Sequence, residues 1–245
     1  MGSPVVKVES YRAAANLDQV SENSYAGMRI HALQGLHEFV VNNAIPFLPA
    51  GATVLDIGAG SGAMSARLSD VGFSVSAVDI VTSNFKLKDK VAFYEADLNA
   101  DFADIIGKSF DGLFAIEVIE HLENPRHFLR QCHQLLRPGG HIVVSTPNID
   151  NPVSTALFLR GGFFHWFADV NYVKDGHLTP LSQLQLQRIV AECKFSIEWQ
   201  ASFGNPFDYV KNWPRMRMLA RLCNAISPIP KSMRGEVVTL ILKKN

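Results

Sequence analysis

The residue pattern best suited to chemistry is a glycine-rich stretch with a carboxylate before it, at residues 54–62 (VLDIGAGSG). Apolar residues lead into Asp56, and Gly58, Ala59 and Gly60 follow. Glycines let the chain turn tightly and let a ligand approach the backbone, and the N–H groups that open the next helix point at that ligand. The pattern predicts a strand, a nucleoside-binding loop and a helix, in that order.

Two further carboxylates end the next two predicted strands. Asp79 follows Gly58 by 21 residues, and Asp97 comes after the third strand. A carboxylate at the first position can accept hydrogen bonds from both hydroxyls of a ribose. At the second position, the Asp97 side chain or the adjacent backbone of Leu98 can meet an adenine edge. The three strand-end acids predict a binding edge for an adenine nucleoside.

The glycine spacing also fits the fingerprint of dinucleotide-binding proteins, with Gly58, Gly60 and Ala63 in the required positions. Asp56 argues against a dinucleotide, because a carboxylate directly before the first turn would repel a pyrophosphate. The same carboxylate suits a ligand that carries an ammonium and a sulfonium group. The residues therefore favour a cationic nucleoside over NAD.

An acidic cluster ends the fourth predicted strand. Glu117, Glu120 and His121 are spaced so that one helical turn can bring them to a common face. In one interpretation His121 is a general base, with Glu120 beside it in the catalytic site. In another, all three side chains bind a divalent cation that lowers the pKa of a bound hydroxyl. In a third, they only orient the loop and cap the next helix.

As a set, these motifs resemble those of class I S-adenosylmethionine-dependent methyltransferases, closest to the group that includes the ubiquinone-biosynthesis O-methyltransferases. The resemblance covers about residues 50–200. It implies an α/β fold, with a Rossmann-like seven-stranded, mostly parallel sheet whose last strand is antiparallel and with helices on both faces. The segments that carry it are 54–62, 77–80 (AVDI), 95–98 (EADL), 110–122 (FDGLFAIEVIEHL) and 136–140 (LRPGG).

The resemblance implies S-adenosylmethionine as the cofactor. Arg29, on a predicted helix before the glycine loop, is expected to reach the methionine carboxylate. The full set of implied cofactor contacts is Arg29, Asp56, Gly58, Ala59, Gly60, Asp79, Ile80, Asp97, Leu98, Ile116 and Glu117.

The resemblance also bears on the acidic cluster. The ubiquinone O-methyltransferases and the small-RNA 2′-O-methyltransferases have a similar Glu-x-x-Glu-His, with a further histidine after the fifth strand. In this chain His177 is the candidate fourth ligand, beside Glu117, Glu120 and His121. A mixture of histidine and carboxylate ligands suits Mg²⁺ or Mn²⁺ better than a closed structural zinc site.

The elements that must position these residues alternate between strand and helix, which predicts a parallel sheet. One domain over 1–245 is expected, divided into an N-terminal helical cap (1–50), a cofactor-binding core (51–147), an aromatic lid insertion (148–180) and a C-terminal substrate-side half (181–245). The lid segment is expected to be a long connection. Strands are predicted over 52–57, 74–80, 91–95, 110–117, 141–145, 195–201 and 237–243, and helices over 27–44, 62–71, 125–136 and 182–193.

Residues 209–235 contain six cations and no acid. Pro214 predicts the start of a helix with two sides, one apolar (Met218, Leu219, Leu222 and Ile226) and one basic (Arg217 and Arg221). Such a helix can lie on an anionic membrane surface, and residues 211–234 are the predicted peripheral contact. The alternative is a helix that packs on the sheet and leaves its charged side in solvent.

Net charge and cysteine content limit the classes of partner and the compartment that we expect for this protein. Lys+Arg and Asp+Glu are both 23, so the net charge is zero, and a nucleic-acid partner, which usually requires a basic excess, is disfavoured. Three scattered cysteines without a Cys-x-x-Cys pair indicate a reducing compartment. With no apolar run in residues 1–13, the predicted location is the cytoplasm, with peripheral contact at the inner membrane surface.

The predicted function is O-methylation of a small-molecule, glycan or lipid-linked acceptor by in-line transfer from S-adenosylmethionine. One alternative is an RNA 2′-O-methyltransferase that uses a divalent metal. Another is a regulatory domain that binds S-adenosylmethionine without turnover.

Overall fold

The computed structural model describes residues 23–245. The first part of the predicted cap, and the expectation drawn from residues 1–13, lie outside the described residues. Between residues 23 and 245, no helix combines the length and the apolar composition needed to cross a bilayer.

Strands β1 and β2 form a small antiparallel hairpin, and the other seven strands form one sheet in the order β5-β4-β3-β6-β7-β9-β8. Strands β3 to β7 run parallel, while β9 is antiparallel to both of its neighbours. The predicted seven-stranded, mostly parallel sheet is therefore confirmed. The strands are β1 (Ser24–Tyr25), β2 (Met28–Arg29), β3 (Thr53–Ile57), β4 (Ser74–Asp79), β5 (Ala92–Glu95), β6 (Phe110–Ile116), β7 (Leu136–Pro147), β8 (Phe195–Phe203) and β9 (Val237–Lys244).

Helices cover both faces of this sheet. Successive residues of a strand point to opposite faces, so Val54 joins one apolar cluster and Leu55 joins the other. Leu113 and Phe114 divide in the same way on β6. The helices are α1 (Leu36–Ala44), α2 (Ala63–Asp70), α3 (Phe102–Ile106), α4 (Pro125–Leu135), α5 (Pro152–Gly161), α6 (Asp169–Lys174), α7 (Gln183–Glu192) and α8 (Pro214–Ile226).

The helix predicted over 27–44 is wrong in its first half. Gly27 and Gly35 adopt left-handed backbone conformations, with φ of 76° and 82°, and a helix cannot continue through them. The chain forms the β1–β2 hairpin first, and α1 begins only at Leu36. Arg29 therefore lies on a strand and not on a helix.

The long connection predicted over 148–180 is also wrong, because this segment contains the helices α5 and α6. Asn151 is fully buried and starts α5 by accepting hydrogen bonds from the N–H groups of Val153 and Ser154, at 3.0 and 2.8 Å. An asparagine before a proline is a frequent helix start, so this signal was present in the sequence.

Helix α8 begins at Pro214 as predicted, but the structure does not bury the predicted apolar side. Ala220 and Cys223 are buried and, together with the half-buried Leu219, pack against the apolar residues of α5. Met218, Leu222 and Ile226, placed on the apolar side by the sequence, are exposed. The prediction that α8 packs on the sheet is wrong, because α5 lies against it.

Candidate functional site

The glycine loop between β3 and α2 is fixed by the end of β4. The N–H groups of Gly58 and Ala59 both donate to the carbonyl of Val78, at 2.9 and 3.2 Å. Gly58 has a φ of 72°, and a Cβ there would lie 2.7 Å from Cγ2 of Val118. Only glycine therefore fits between this loop and the segment that follows β6.

The centre of the loop leaves space for a ligand. A Cβ added to Gly60 would have no atom of the described residues within 4 Å. Asp79 fixes the loop from the side, because one carboxylate oxygen accepts from the Gly60 N–H and the other from the Val81 N–H, both at 2.8 Å. An ionised carboxylate has about four acceptor positions, so Asp79 can still accept hydrogen bonds from hydroxyl groups of a ligand.

The three strand-end acids differ in exposure. Asp97 is exposed, and its carboxylate accepts from the Asn99 N–H at 2.8 Å. Asp56, only 3% exposed, instead accepts from the Ser65 hydroxyl on α2, at 2.6 Å. Burial, aided by the negative charge of Asp79, raises the pKa of Asp56 to about 7. The structure leaves Asp79 half-buried at the end of β4 and places Asp56 inside the domain.

The remaining predicted cofactor contacts follow the same edge. Ile80 follows β4, Leu98 lies beyond the end of β5, and Ile116 is the last residue of β6. All three are half-buried. The carbonyl of Arg29, on the hairpin, accepts from the Ser61 hydroxyl at 2.6 Å. The hairpin thus contacts the glycine loop directly, although Arg29 reaches it from a different element than predicted.

Glu117 is held by β7. It adopts a left-handed φ of 56°, which is unusual for a residue with a side chain. Its N–H donates to the carbonyl and the hydroxyl oxygen of Ser145, and that hydroxyl donates to the Glu117 carboxylate at 2.7 Å. Burial raises the pKa of Glu117 to about 7. Strained backbone of this kind is frequent at functional sites.

Glu120, His121 and His177 come together beside Glu117. Each offers one ligand atom, and the three atoms lie within 4.8 Å of one another. Glu120 is fully buried, and among residues 23–245 neither of its oxygens has a hydrogen-bond partner. Burial and the charge of Glu117 raise its pKa well above the usual value. Glu117, which was also predicted to be a ligand, is not a member of this group of three.

Two backbone carbonyls orient the histidine rings. His121 Nδ1 lies 3.2 Å from the carbonyl of Gly176, and His177 Nδ1 lies 2.7 Å from the carbonyl of Trp166. A nitrogen facing a carbonyl must carry the proton, so Nε2 of His177 is its acceptor or ligand atom, whereas the His121 ring also makes a hydrogen bond to the backbone of Glu117. Burial, followed by the charge of His177, lowers the pKa of His121 to about 4, and burial also lowers that of His177.

The chemistry of these residues fits the groups that the motifs imply. Gly60 leaves room beside the backbone and Asp79 offers acceptors for a ribose, as S-adenosylmethionine requires. Around the acidic cluster, a buried carboxylate without a hydrogen-bond partner and two neutral imidazoles form a donor set for a divalent cation. No local pattern indicated that Ser65, Ser145 and Trp166 would orient these groups, because each comes from a separate part of the chain.

A family model for a methyltransferase domain matches residues 27–198. Among curated relatives, the ubiquinone biosynthesis O-methyltransferase of Xanthomonas axonopodis pv. citri is 33% identical over 121 residues, which cover 46% of this chain and 50% of that protein. That of Caulobacter vibrioides is 37% identical over 108 residues, 40% of this chain and 42% of that protein. The chain spans about half the length of the curated relatives it matches.

Solved structures share the fold. A SAM-dependent methyltransferase from Archaeoglobus fulgidus has a TM-score of 0.59 at 20% identity and covers 85% of this chain and 94% of its own. One from Mesorhizobium loti has a TM-score of 0.52 at 17% identity, with 83% and 96% covered. The [4+2]-cyclase SpnF has a TM-score of 0.59 at 15% identity, with 96% and 91% covered. Because a methyltransferase and a cyclase share this fold, the fold alone does not identify a reaction. The reaction has to be inferred from the residues of the site.

Proposed function

Because the chain belongs to the methyltransferase domain family, we propose that it transfers a methyl group from S-adenosylmethionine to an oxygen of a small-molecule, glycan or lipid-linked acceptor. The observation that carries this proposal is the contact between the glycine loop and the segment bearing the acidic cluster. Gly58 meets Val118 so closely that a single added carbon would lie 2.7 Å away, and His121 is three residues further along. A cofactor in the loop would thus lie next to the groups that can act on an acceptor.

The cofactor would be held by the edge of the sheet. Asp79 would accept the ribose hydroxyls while it keeps the Gly60 and Val81 N–H groups in place. Asp97 and Leu98 would border the adenine. When bound, S-adenosylmethionine supplies an already activated methyl group, so the protein's main tasks are to align the acceptor and to exclude water.

An acceptor hydroxyl must also lose its proton or be made more acidic. The low pKa of His121, about 4, makes it a weak general base at neutral pH but leaves a neutral imidazole that can bind a cation. Glu120, His121 and His177 would hold Mg²⁺ or Mn²⁺, and this interpretation is favoured because it gives the buried Glu120 carboxylate a partner. Such an ion lowers the pKa of a hydroxyl bound to it.

The cofactor assignment is tested by calorimetry with S-adenosylhomocysteine. We expect Asp79→Ala to weaken binding at least about tenfold, since it removes the acceptors for the ribose. Asp104→Ala, on α3, is the control, because that carboxylate is exposed and outside the loop. Equal affinity in the wild type and Asp79→Ala would refute the ribose assignment.

Turnover is tested with labelled S-adenosylmethionine and fractionated lysate as the source of acceptors. His121→Ala should keep the wild-type affinity for S-adenosylhomocysteine and lose methyl transfer. If His121→Ala still transfers label, both catalytic interpretations of the cluster are wrong. If the wild type binds the cofactor but labels no fraction, the protein is a binding domain and not an enzyme.

The metal assignment is tested by titrating the protein with Mn²⁺ and following the free ion by electron paramagnetic resonance. Glu120→Gln should weaken binding at least about tenfold, while Glu123→Gln, an exposed carboxylate in the same segment, should not. Affinity should rise with pH, because protons compete with the ion for Glu120. Weak binding that is the same in both variants would exclude this site.

A further inference from the structure

Helix α8 presents two apolar sides, and only one of them is covered. Leu219, Ala220 and Cys223 pack against α5, which buries Ala220 and Cys223 and half-buries Leu219. Met218, Leu222 and Ile226 follow one another at intervals of four residues and so form a continuous stripe along the helix. Their exposed fractions are 63, 60 and 84%. Large apolar side chains exposed in a row usually mark a surface that contacts something apolar.

Cations border this stripe. Arg217 and Arg221, also one turn apart, are exposed and lie on the side of the helix away from Leu219 and Cys223. Residues 209–235 contain no acidic residue, although the chain as a whole is neutral. Arg234 is not counted among the cations of this stripe, because its guanidinium is held by carbonyls near the end of α8, among them those of Asn224 and Ser227, at 2.7 and 2.9 Å.

The end of α5 extends the same surface. Phe158 and Leu159 are exposed, and Arg160 follows them. An open groove of about 700 Å³ separates this end of α5 from the start of α8, with Arg160, Trp213 and Arg215 among its lining residues. Both the apolar side chains and the cations therefore continue from one helix to the other.

A row of aromatic rings connects the groove with the acidic cluster. The rings of Trp213 and Tyr209 lie 5.8 Å apart, and those of Tyr209 and Trp166 lie 6.2 Å apart. The carbonyl of Trp166 in turn contacts His177. Contacts thus continue from the groove through Tyr209 and Trp166 to His177.

We propose that the exposed end of α5 and the exposed side of α8, together the lipid face, bind an anionic lipid surface. The apolar stripe would enter the boundary between headgroups and acyl chains, and the flanking arginines would contact the anionic headgroups. The arginines favour this occupant over a neutral apolar partner, because their charge is opposite to that of the lipid. Lipid binding requires neither cofactor nor turnover and so stands apart from the proposed methyl transfer.

The test is co-sedimentation of the full chain with vesicles of phosphatidylcholine alone or of phosphatidylcholine with phosphatidylglycerol. We expect binding to the anionic vesicles only, and release by high salt. Arg217→Gln with Arg221→Gln should weaken binding about fivefold for each arginine removed. Leu222→Gln should weaken it at least about tenfold, because the stripe loses its central side chain.

Matched controls lie on α7. Leu184 is 56% exposed and Arg188 is exposed, so Leu184→Gln and Arg188→Gln change the same chemistry outside the lipid face and should bind as the wild type does. Absence of binding to anionic vesicles, or equal losses in the α7 controls, would overturn the proposal. A dimer in light scattering that dissociates in Leu222→Gln would also overturn it, since a second copy would then occupy the lipid face.

Discussion

Three carboxylates, those of the buried Asp56 and Glu120 and of the half-buried Glu117, set the electrostatics of the site. Asp56, Glu117 and Glu120 lie at the ends of two adjacent strands, β3 and β6, and burial is the main cause that raises the pKa of each. A group with a raised pKa holds its proton until a cation or a hydrogen-bond donor stabilises the charged form. The site is therefore arranged to respond to positive charge, which both S-adenosylmethionine and a divalent ion would bring.

Asp56→Asn should stabilise the protein at pH 8 more than at pH 5. The pKa of Asp56 is about 7 in the folded chain and about 3.9 in an unfolded one. The folded state thus binds more protons between these values, and the contribution of Asp56 to stability is lost as the pH rises through 7. The difference in unfolding free energy between variant and wild type should grow by about 3 kcal/mol from pH 5 to pH 8.

Urea unfolding at the two pH values measures this growth. Because both proteins are compared at each pH, the titration of all other groups contributes equally to the two proteins and cancels in the difference. A difference in unfolding free energy that does not change with pH would mean that Asp56 is already ionised at pH 5.

Burial changes how much a capping side chain at the start of a helix contributes to stability. Asn151 begins α5 with its side chain fully buried, where it also donates to the carbonyl of Asn148 at 2.6 Å. Ser182 begins α7 near the surface, where it exchanges hydrogen bonds with Gln185. Water can replace the bonds of Ser182, but it cannot reach those of Asn151.

Ser182→Ala should lower the free energy of unfolding by about 1 kcal/mol, the usual value of a capping side chain. Asn151→Ala should lower it by at least about 2 kcal/mol, because buried N–H and carbonyl groups are left without partners. Urea denaturation of the two variants gives the comparison. Equal losses would mean that the start of α5 is open to water, in conflict with the burial of Asn151.

The β1–β2 hairpin contacts the glycine loop at Ser61. The Ser61 hydroxyl donates to the carbonyl of Arg29, and within the hairpin the N–H of Ile30 donates to the carbonyl of Asn23 at 3.0 Å. Tyr25 adds a further contact, since its hydroxyl donates to Asp70 at the end of α2. We therefore expect a ligand bound in the loop to stabilise the hairpin as well.

Hydrogen exchange of the Ile30 amide should slow when S-adenosylhomocysteine binds, because a bound ligand stabilises the loop that the hairpin contacts. The amides of α7 serve as the internal control and should exchange at the same rate with and without ligand. In Ser61→Ala the protection of Ile30 should shrink. Full protection in that variant would show that the hairpin is held by other contacts.

The sequence predicted well wherever the signal was local. Short stretches of neighbouring residues specify the glycine loop, the strand-end acids and the start of α7 at Ser182. The structure contains each of these features. The prediction of a single helix over 27–44 was wrong. The same spacing of apolar residues also fits a hairpin that is followed, after Gly35, by a separate helix. Cofactor and metal contacts remain predictions.

Sequence alone determined the order along the chain of the seven strands of the large sheet and which acids end the strands, because hydrophobic period and glycine position act over a few residues. Tertiary structure decided which of those acids is open to a ligand and which side of α8 meets solvent. Asp56 is buried by Ser65 and α2, and Leu222 is exposed because α5 takes the other side of its helix. The burial of a side chain depends on packing residues that are distant in the chain, and a local sequence pattern does not identify those residues.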